Sequence, residues 1–203
     1  MEHGVLFESV AVKVFTHLFP TFTHYDSALI SNSKYPYFAA SPDGFLIQKD
    51  LKSAEIIEIK CPSSKKSLSP VPEYYFDQMQ FQMMITNITK CNYFSCRFEC
   101  FTNRKLAKQL VSENKIVGIR FCPDIENNSP QKIFPYICGI DIQSYESMMK
   151  KFDDAYNTTD DTDSPATGPP EFFTLNEYFH EKLKMDRDWQ RRFIEAFNTH
   201  YKP

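Results

Sequence analysis

The sequence predicts an α/β fold with a helical extension at its C-terminus, and three observations predict it. Strand-like stretches at about 36–41, 44–48, 54–60 and 91–101 are interspersed with helix-like stretches at 4–19 and 73–86. A Ser41-Pro42-Asp43-Gly44 turn punctuates the first pair of strands. The composition then changes at Asn157–Pro170, a run of Thr, Asp, Ser, Pro and Gly without an aromatic residue. That run reads as a flexible linker between a compact body, 1–156, and an extension, 171–203. With 203 residues, 42% hydrophobic and 19 Phe, the chain has the material for one domain with a real core.

Residues 4–19 read as an amphipathic helix with Val5, Glu8, Val12 and Phe15 on one stripe. A carboxylate in such a stripe is unusual, because a buried charge needs a partner. Residues 20–35, rich in Ser, Thr and Asn, read as a loop. Strands at 36–41 and 44–48 join through the Pro-Asp-Gly turn. The strand at 54–60 stops at Cys61-Pro62, where proline offers no N–H to a ladder. Ser63–Pro72 is a polar, basic loop by composition. A helix at 73–86 carries Tyr74, Gln78, Phe81, Gln82 and Ile85 on one side and Gln80 on the other.

Tyr93, Phe94, Phe98 and Phe101 mark a strand at 91–101, followed by a short helix at 103–113. Strands at 115–121 and 132–141, linked by the turn-rich stretch Cys122–Gln131, lead to a helix at 143–156. In the extension, Thr174-Leu175-Asn176-Glu177 has the form of a capping box. Leu175, Phe179, Leu183, Trp189, Phe193 and Phe197 follow at near-helical spacing, predicting one long or two short helices over 174–200.

The formal net charge of −3 weighs against a nucleic-acid-binding domain, which is usually basic, although local patches count for more than the total. No apolar run is long enough for a membrane helix, and no signal peptide is visible at the N-terminus. The expected location is therefore intracellular, in nucleus or cytoplasm, with all six Cys reduced. Cys91, Cys96 and Cys100 lack the C-x2-C spacing of zinc sites and read as buried structural cysteines. The five histidines are scattered and form no ligand pair.

Chemistry concentrates at Asp43, Glu58 and Lys60. Strand period two sends Glu58 and Lys60 to one side of a sheet and Ile57 and Ile59 to the other. Carboxylate oxygens are the hard ligands that Mg²⁺ prefers, and a neighbouring lysine orients water or offsets phosphate charge. Metal-assisted phosphodiester hydrolysis needs that set. The plainer alternative makes Asp43 a turn residue and Glu58 and Lys60 a surface cross-strand pair.

Four segments in order carry a family resemblance: Gly4-x-x-x-Glu8, Ser41-Pro42-Asp43-Gly44, Glu58-Ile59-Lys60-Cys61-Pro62 and the glutamine-bearing stretch Tyr74–Met83. The series resembles the lambda-exonuclease-like, YqaJ-type viral recombinase family of the PD-(D/E)XK nucleases. The resemblance implies a restriction-endonuclease-like core, a mixed central β-sheet flanked by helices. It also implies that Asp43, Glu58 and the Ile59 carbonyl hold Mg²⁺, with Mn²⁺ able to substitute. Glu8 then reaches the metal directly or through water, Lys60 positions the attacking water, and Gln78 bonds that water or the phosphate.

Gln82 and Tyr74 either reach substrate or support the helix, and Ser41 serves either the turn or a phosphate. Lys65 and Lys66 either touch DNA backbone or lie in a solvated loop. Two further basic groups, Arg104 with Lys105 and Lys108, and Arg187 with Arg191 and Arg192, are candidates of the same kind. The activity implied is a 5′–3′ exonuclease on duplex DNA ends in recombination or repair. The partners implied are DNA, sister subunits in a trimer and a single-strand annealing protein. A non-catalytic binding module with the nuclease fold and a structure-specific endonuclease are the rival readings.

Overall fold

The structure, a computed structural model, describes residues 2–48, 53–63, 67–120, 137–139, 146–147, 149–150 and 171–201. Its elements are α1 (Glu2–Leu18), β1 (Phe22–Tyr25), β2 (Ile30–Asn32), β3 (Tyr35–Ala40), β4 (Gly44–Gln48), β5 (Ala54–Lys60), α2 (Glu73–Thr86), β6 (Lys90–Phe101), α3 (Arg104–Ser112), β7 (Val117–Arg120), β8 (Ile137–Gly139), β9 (Glu171–Lys184) and α4 (Arg187–His200). They form two compact units. One comprises Met1–Val14 and Arg97–Glu177, the other Phe15–Cys96 and Tyr178–Pro203.

The second unit contains a mixed sheet in the order β1-β4-β5-β6. β1–β4 and β4–β5 are antiparallel, and β5–β6 is parallel, with α2 as the crossover between the parallel strands. β5 is central, so Glu55 through Glu58 and Ile59 are all buried although two of them are acidic. Met79 and Met83 of α2 pack on Ile56, Cys91 and Tyr93 of the sheet. The β2–β3 ribbon packs through Ile30 and Ala40 on Met84 and Ile85 at the end of α2. Phe193 of α4 joins Phe38 and Phe81 in the same cluster.

In the first unit β7 pairs antiparallel with both β8 and β9. Its core is Ala107 and Val111 of α3, Val117 and Ile119 of β7, Met149 and Phe172. Phe7 stacks on Phe98 and meets Phe173 edge-on, a geometry that adds to plain area burial.

β5 and α2 have the bounds that the sequence predicts, 54–60 and 73–86. Several readings need correction. Residues 20–35 are not a plain loop, because β1 and β2 lie there. β3 and β4 are not paired across the Pro-Asp-Gly turn; β3 pairs with β2 and β4 with β1. The buried face of α1 is Phe7, Val10, Ala11, Val14 and Phe15, so Glu8 and Val12 sit at its edge, half-buried.

The extension is helical only from Arg187; residues 171–184 are a strand. Leu175, Phe179 and Leu183 recur every fourth residue, which suits a helix turn but is equally two strand periods. The capping-box segment 174–177 lies inside β9, and Asp186 is the true cap, its Oδ1 accepting from the N–H groups of Asp188 and Trp189. Cys91 and Cys96 are buried as expected, but Cys100 is exposed. The predicted linker 157–170, the stretch 122–131 and most of the 143–156 helix lie outside the described residues.

Candidate active site

The turn after β3 delivers Asp43, and the end of β5 delivers Glu58, Ile59 and Lys60. Asp43 Oδ2 accepts the Ile59 N–H at 2.6 Å, which ties the turn to the strand. Glu58 is fully buried and is held by donors. Lys60 Nζ and Gln78 Nε2 donate to its Oε1, the latter at 2.7 Å, and Gln82 Nε2 donates to its Oε2 at 2.7 Å. Gln78 and Gln82 are one helical turn apart on α2, so a single face of that helix supplies both amides. Among the described residues Gln82 Oε1 has no hydrogen-bond partner although it is buried, an acceptor of the kind that ordered water satisfies.

Lys60 keeps 23% of its side chain exposed while paired to Glu58. Its ammonium lies 4.8 Å from the Tyr75 ring centroid, a cation–π contact. The Tyr75 phenol is pushed well above its usual range by burial first, then by Tyr74, with Tyr93 and Glu58 adding, so it stays neutral under the lysine. Tyr74 itself is 64% exposed at the start of α2.

Asp43, Glu58, Ile59, Lys60, Gln78 and Gln82 thus gather within the second unit. Glu8 belongs to the first unit, on α1. Ser41 is exposed at the turn, and Lys65 and Lys66 lie outside the described residues. Among the described residues no three His, Cys, Asp or Glu side chains are grouped so that together they could hold a metal ion.

Sequence reasoning missed His24, whose Nε2 lies 3.4 Å from the Asp43 carbonyl oxygen. It reaches the turn from β1, and Gly44 leaves the room: a Cβ there would fall 2.0 Å from His24 Nε2. It also missed Glu55, on the opposite face of β5 from Glu58. Lys182 Nζ reaches Glu55 at 2.8 Å, and Asn92 Nδ2 donates to it at 2.8 Å. His180 Nε2 lies 3.0 Å from Asn92 Oδ1 and completes a polar network centred on the buried Glu55 and Asn92. Gln80, for which the sequence suggests no role, is fully buried; it donates to the Lys184 carbonyl at 2.9 Å and accepts the Asp186 N–H at 2.7 Å.

Fold and cluster together define a mixed α/β protein whose central strand ends in a buried glutamate shared by a lysine and two glutamines. Residues 1–89 match the YqaJ-like viral recombinase domain, the family that the four sequence motifs resemble. The chain is 21% identical to an alkaline exonuclease (LHK-Exo) from Laribacter hongkongensis, with a TM-score of 0.41 over 77% of this chain and 66% of that one. For LHK-Exo in complex with dAMP the values are 22%, 0.39, 74% and 63%. The chain therefore spans just under two thirds of the length of these solved structures. No curated protein matches it.

Proposed function

We propose that the chain is a metal-dependent nuclease, an exonuclease that hydrolyses DNA from duplex ends. The observation that carries this reading is the convergence of Asp43, Glu58, Lys60 and Gln78 at one spot from a turn, a strand end and a helix. The family match over 1–89 supports it.

The donor set suits Mg²⁺, or Mn²⁺ in its place: hard oxygens from the Asp43 and Glu58 carboxylates and the Ile59 carbonyl, few enough to leave bound waters. Among the described residues Glu58 accepts three N–H donors out of roughly four lone-pair sites, which leaves one for the cation. When bound, the cation lowers the pKa of a water and offsets charge on the phosphate. Lys60 donates to Glu58, and its other ammonium protons serve the attacking water and a phosphate oxygen. Gln78 holds Glu58 in place and reaches the same water. Gln82 acts from the far oxygen of Glu58, its Oε1, without a partner among the described residues, available to a site water. Tyr74 and Ser41 offer exposed groups for the nucleic acid.

The test is cleavage of end-labelled linear duplex with Mg²⁺, set against covalently closed circles. Wild type is expected to degrade only the linear DNA and to stop when the metal is chelated. Asp43→Ala and Lys60→Ala are each expected to lower the rate at least ~100-fold, the scale of losing one charge-stabilising group. Glu8→Gln is assayed beside them, since its motif stands in the other unit. Bound but intact DNA with purified wild type would overturn the reading in favour of a binding module, and nicked circles would favour an endonuclease.

A further inference from the structure

We propose that Cys61 and Cys96 are a redox modification site, joined reversibly into a disulfide by hydrogen peroxide, and that this bond disables the adjoining Lys60–Glu58 pair. The two Sγ atoms lie 3.6 Å apart, both buried, inside the second unit. β5 and β6 are parallel and Lys60 pairs with Ser95, so Cys61, the residue just past the end of β5, comes beside Cys96 of β6. Neighbouring strands run ~4.8 Å apart, and disulfides span Cα separations of ~4.4–6.8 Å, so the bond can form without moving whole elements. Cys91 sits instead in the apolar cluster with Ile56 and Met79, and Cys100 is exposed four residues further along β6.

The consequence for the site follows from adjacency. An S–S bond is ~2.05 Å long, so the sulfurs must close by about 1.5 Å, and Cys61 is joined directly to Lys60. A displacement of ~1 Å at a catalytic group costs about 100-fold in rate.

The chemistry balances in two steps. Cys96 is fully buried and Cys61 is 6% exposed, so Cys61 meets the oxidant. Its sulfur takes oxygen from hydrogen peroxide, forming a sulfenic acid and releasing water. The Cys96 thiol then displaces hydroxide from that sulfur, forming the S–S bond and a second water. Two thiols are oxidised and one peroxide is reduced.

The bond stands independently of the nuclease reading, whereas the loss of cleavage rests on it. The experiment treats the reduced full chain with hydrogen peroxide, maps peptides without reductant, and assays linear-duplex cleavage before and after dithiothreitol. A Cys61–Cys96 cross-linked peptide is expected, with cleavage falling at least ~10-fold and recovering on reduction. Cys96→Ala is expected to show no cross-link and to keep its cleavage in peroxide, and Cys96→Ser serves if the alanine variant does not fold. Unmodified thiols, or sulfinic acid on Cys61 without a cross-link, would overturn the site. A cross-linked protein that cleaves as fast as the reduced one would overturn the regulation. Absence of cleavage by the reduced wild type would sink the nuclease reading, while the peptide map still decides the bond.

Discussion

Glu58 is the residue around which the site is organised. A carboxylate with no solvent contact needs donors for both oxygens, and Lys60, Gln78 and Gln82 supply them. The strand alternation that puts Glu58 and Lys60 together is visible in the sequence, since it depends only on neighbouring positions. His24 and Glu55 escape such reading because their partners lie far away along the chain: Asp43 for His24, Asn92 and Lys182 for Glu55. Gly44 has a testable cost. A Cβ there would meet His24 at 2.0 Å and the Tyr25 carbonyl oxygen at 2.9 Å. Gly44→Ala is expected to destabilise the chain by about 1–3 kcal/mol in urea unfolding, as overpacking does, and His24→Ala in the same chain should restore part of it.

At the level of elements, α2 is held from both sides. One face presents its glutamines to Glu58, and the other is clamped by Gln80 and by the Trp189 indole N–H, which donates to Asp77 Oδ1 at 2.7 Å. Gln80→Ala strands the Asp186 N–H and the Lys184 carbonyl, so a loss of about 1–3 kcal/mol is expected in urea unfolding, with Gln80→Glu restoring only the bond to the Asp186 N–H.

The network joining β5, β6 and β9 makes stability depend on pH. Burial, then the Lys182 charge, hold His180 below its usual 6.5 against an opposing pull from Glu55. Burial raises Glu55, but hydrogen bonds from Lys182 and Asn92 with the charges of Lys182 and Lys90 outweigh it and bring it below 4.5. Both groups bind protons more readily in the unfolded chain. Their stabilisation is full above those unfolded values and is lost as the pH falls through the folded ones. The urea midpoint is expected to begin falling below about pH 6.5, and His180→Gln should remove that first step while leaving the more acidic one.

The sequence places β4, β5, α2, β6 and α3 within a residue or so of their observed bounds, because flanking turn residues such as Gly44 and Pro62 and runs of aromatic or apolar residues mark them locally. β1 is only four residues long, and β9 has apolar residues at a spacing shared by both periods, so local pattern does not decide either.

On the scale of the whole molecule, β9 serves both compact units. Phe172 and Phe173 are buried in the first, while Leu183 packs in the second with Ile56 and Met79. A chain stopped before Glu171 is therefore expected to lose cooperative urea unfolding, followed by circular dichroism, rather than to survive as a trimmed domain. The sequence marks the change of composition at 157–170, but tertiary pairing alone reveals that the strand beyond it is integral to both units. Among the described residues no helix is long and apolar enough to cross a membrane.

The chain holds a single tryptophan, Trp189, and its indole is bonded to Asp77, the residue next to Gln78. Its intrinsic fluorescence is thus a built-in optical reporter on the glutamine helix. Titrating divalent cations or nucleotides while recording emission would follow that helix in unlabelled protein.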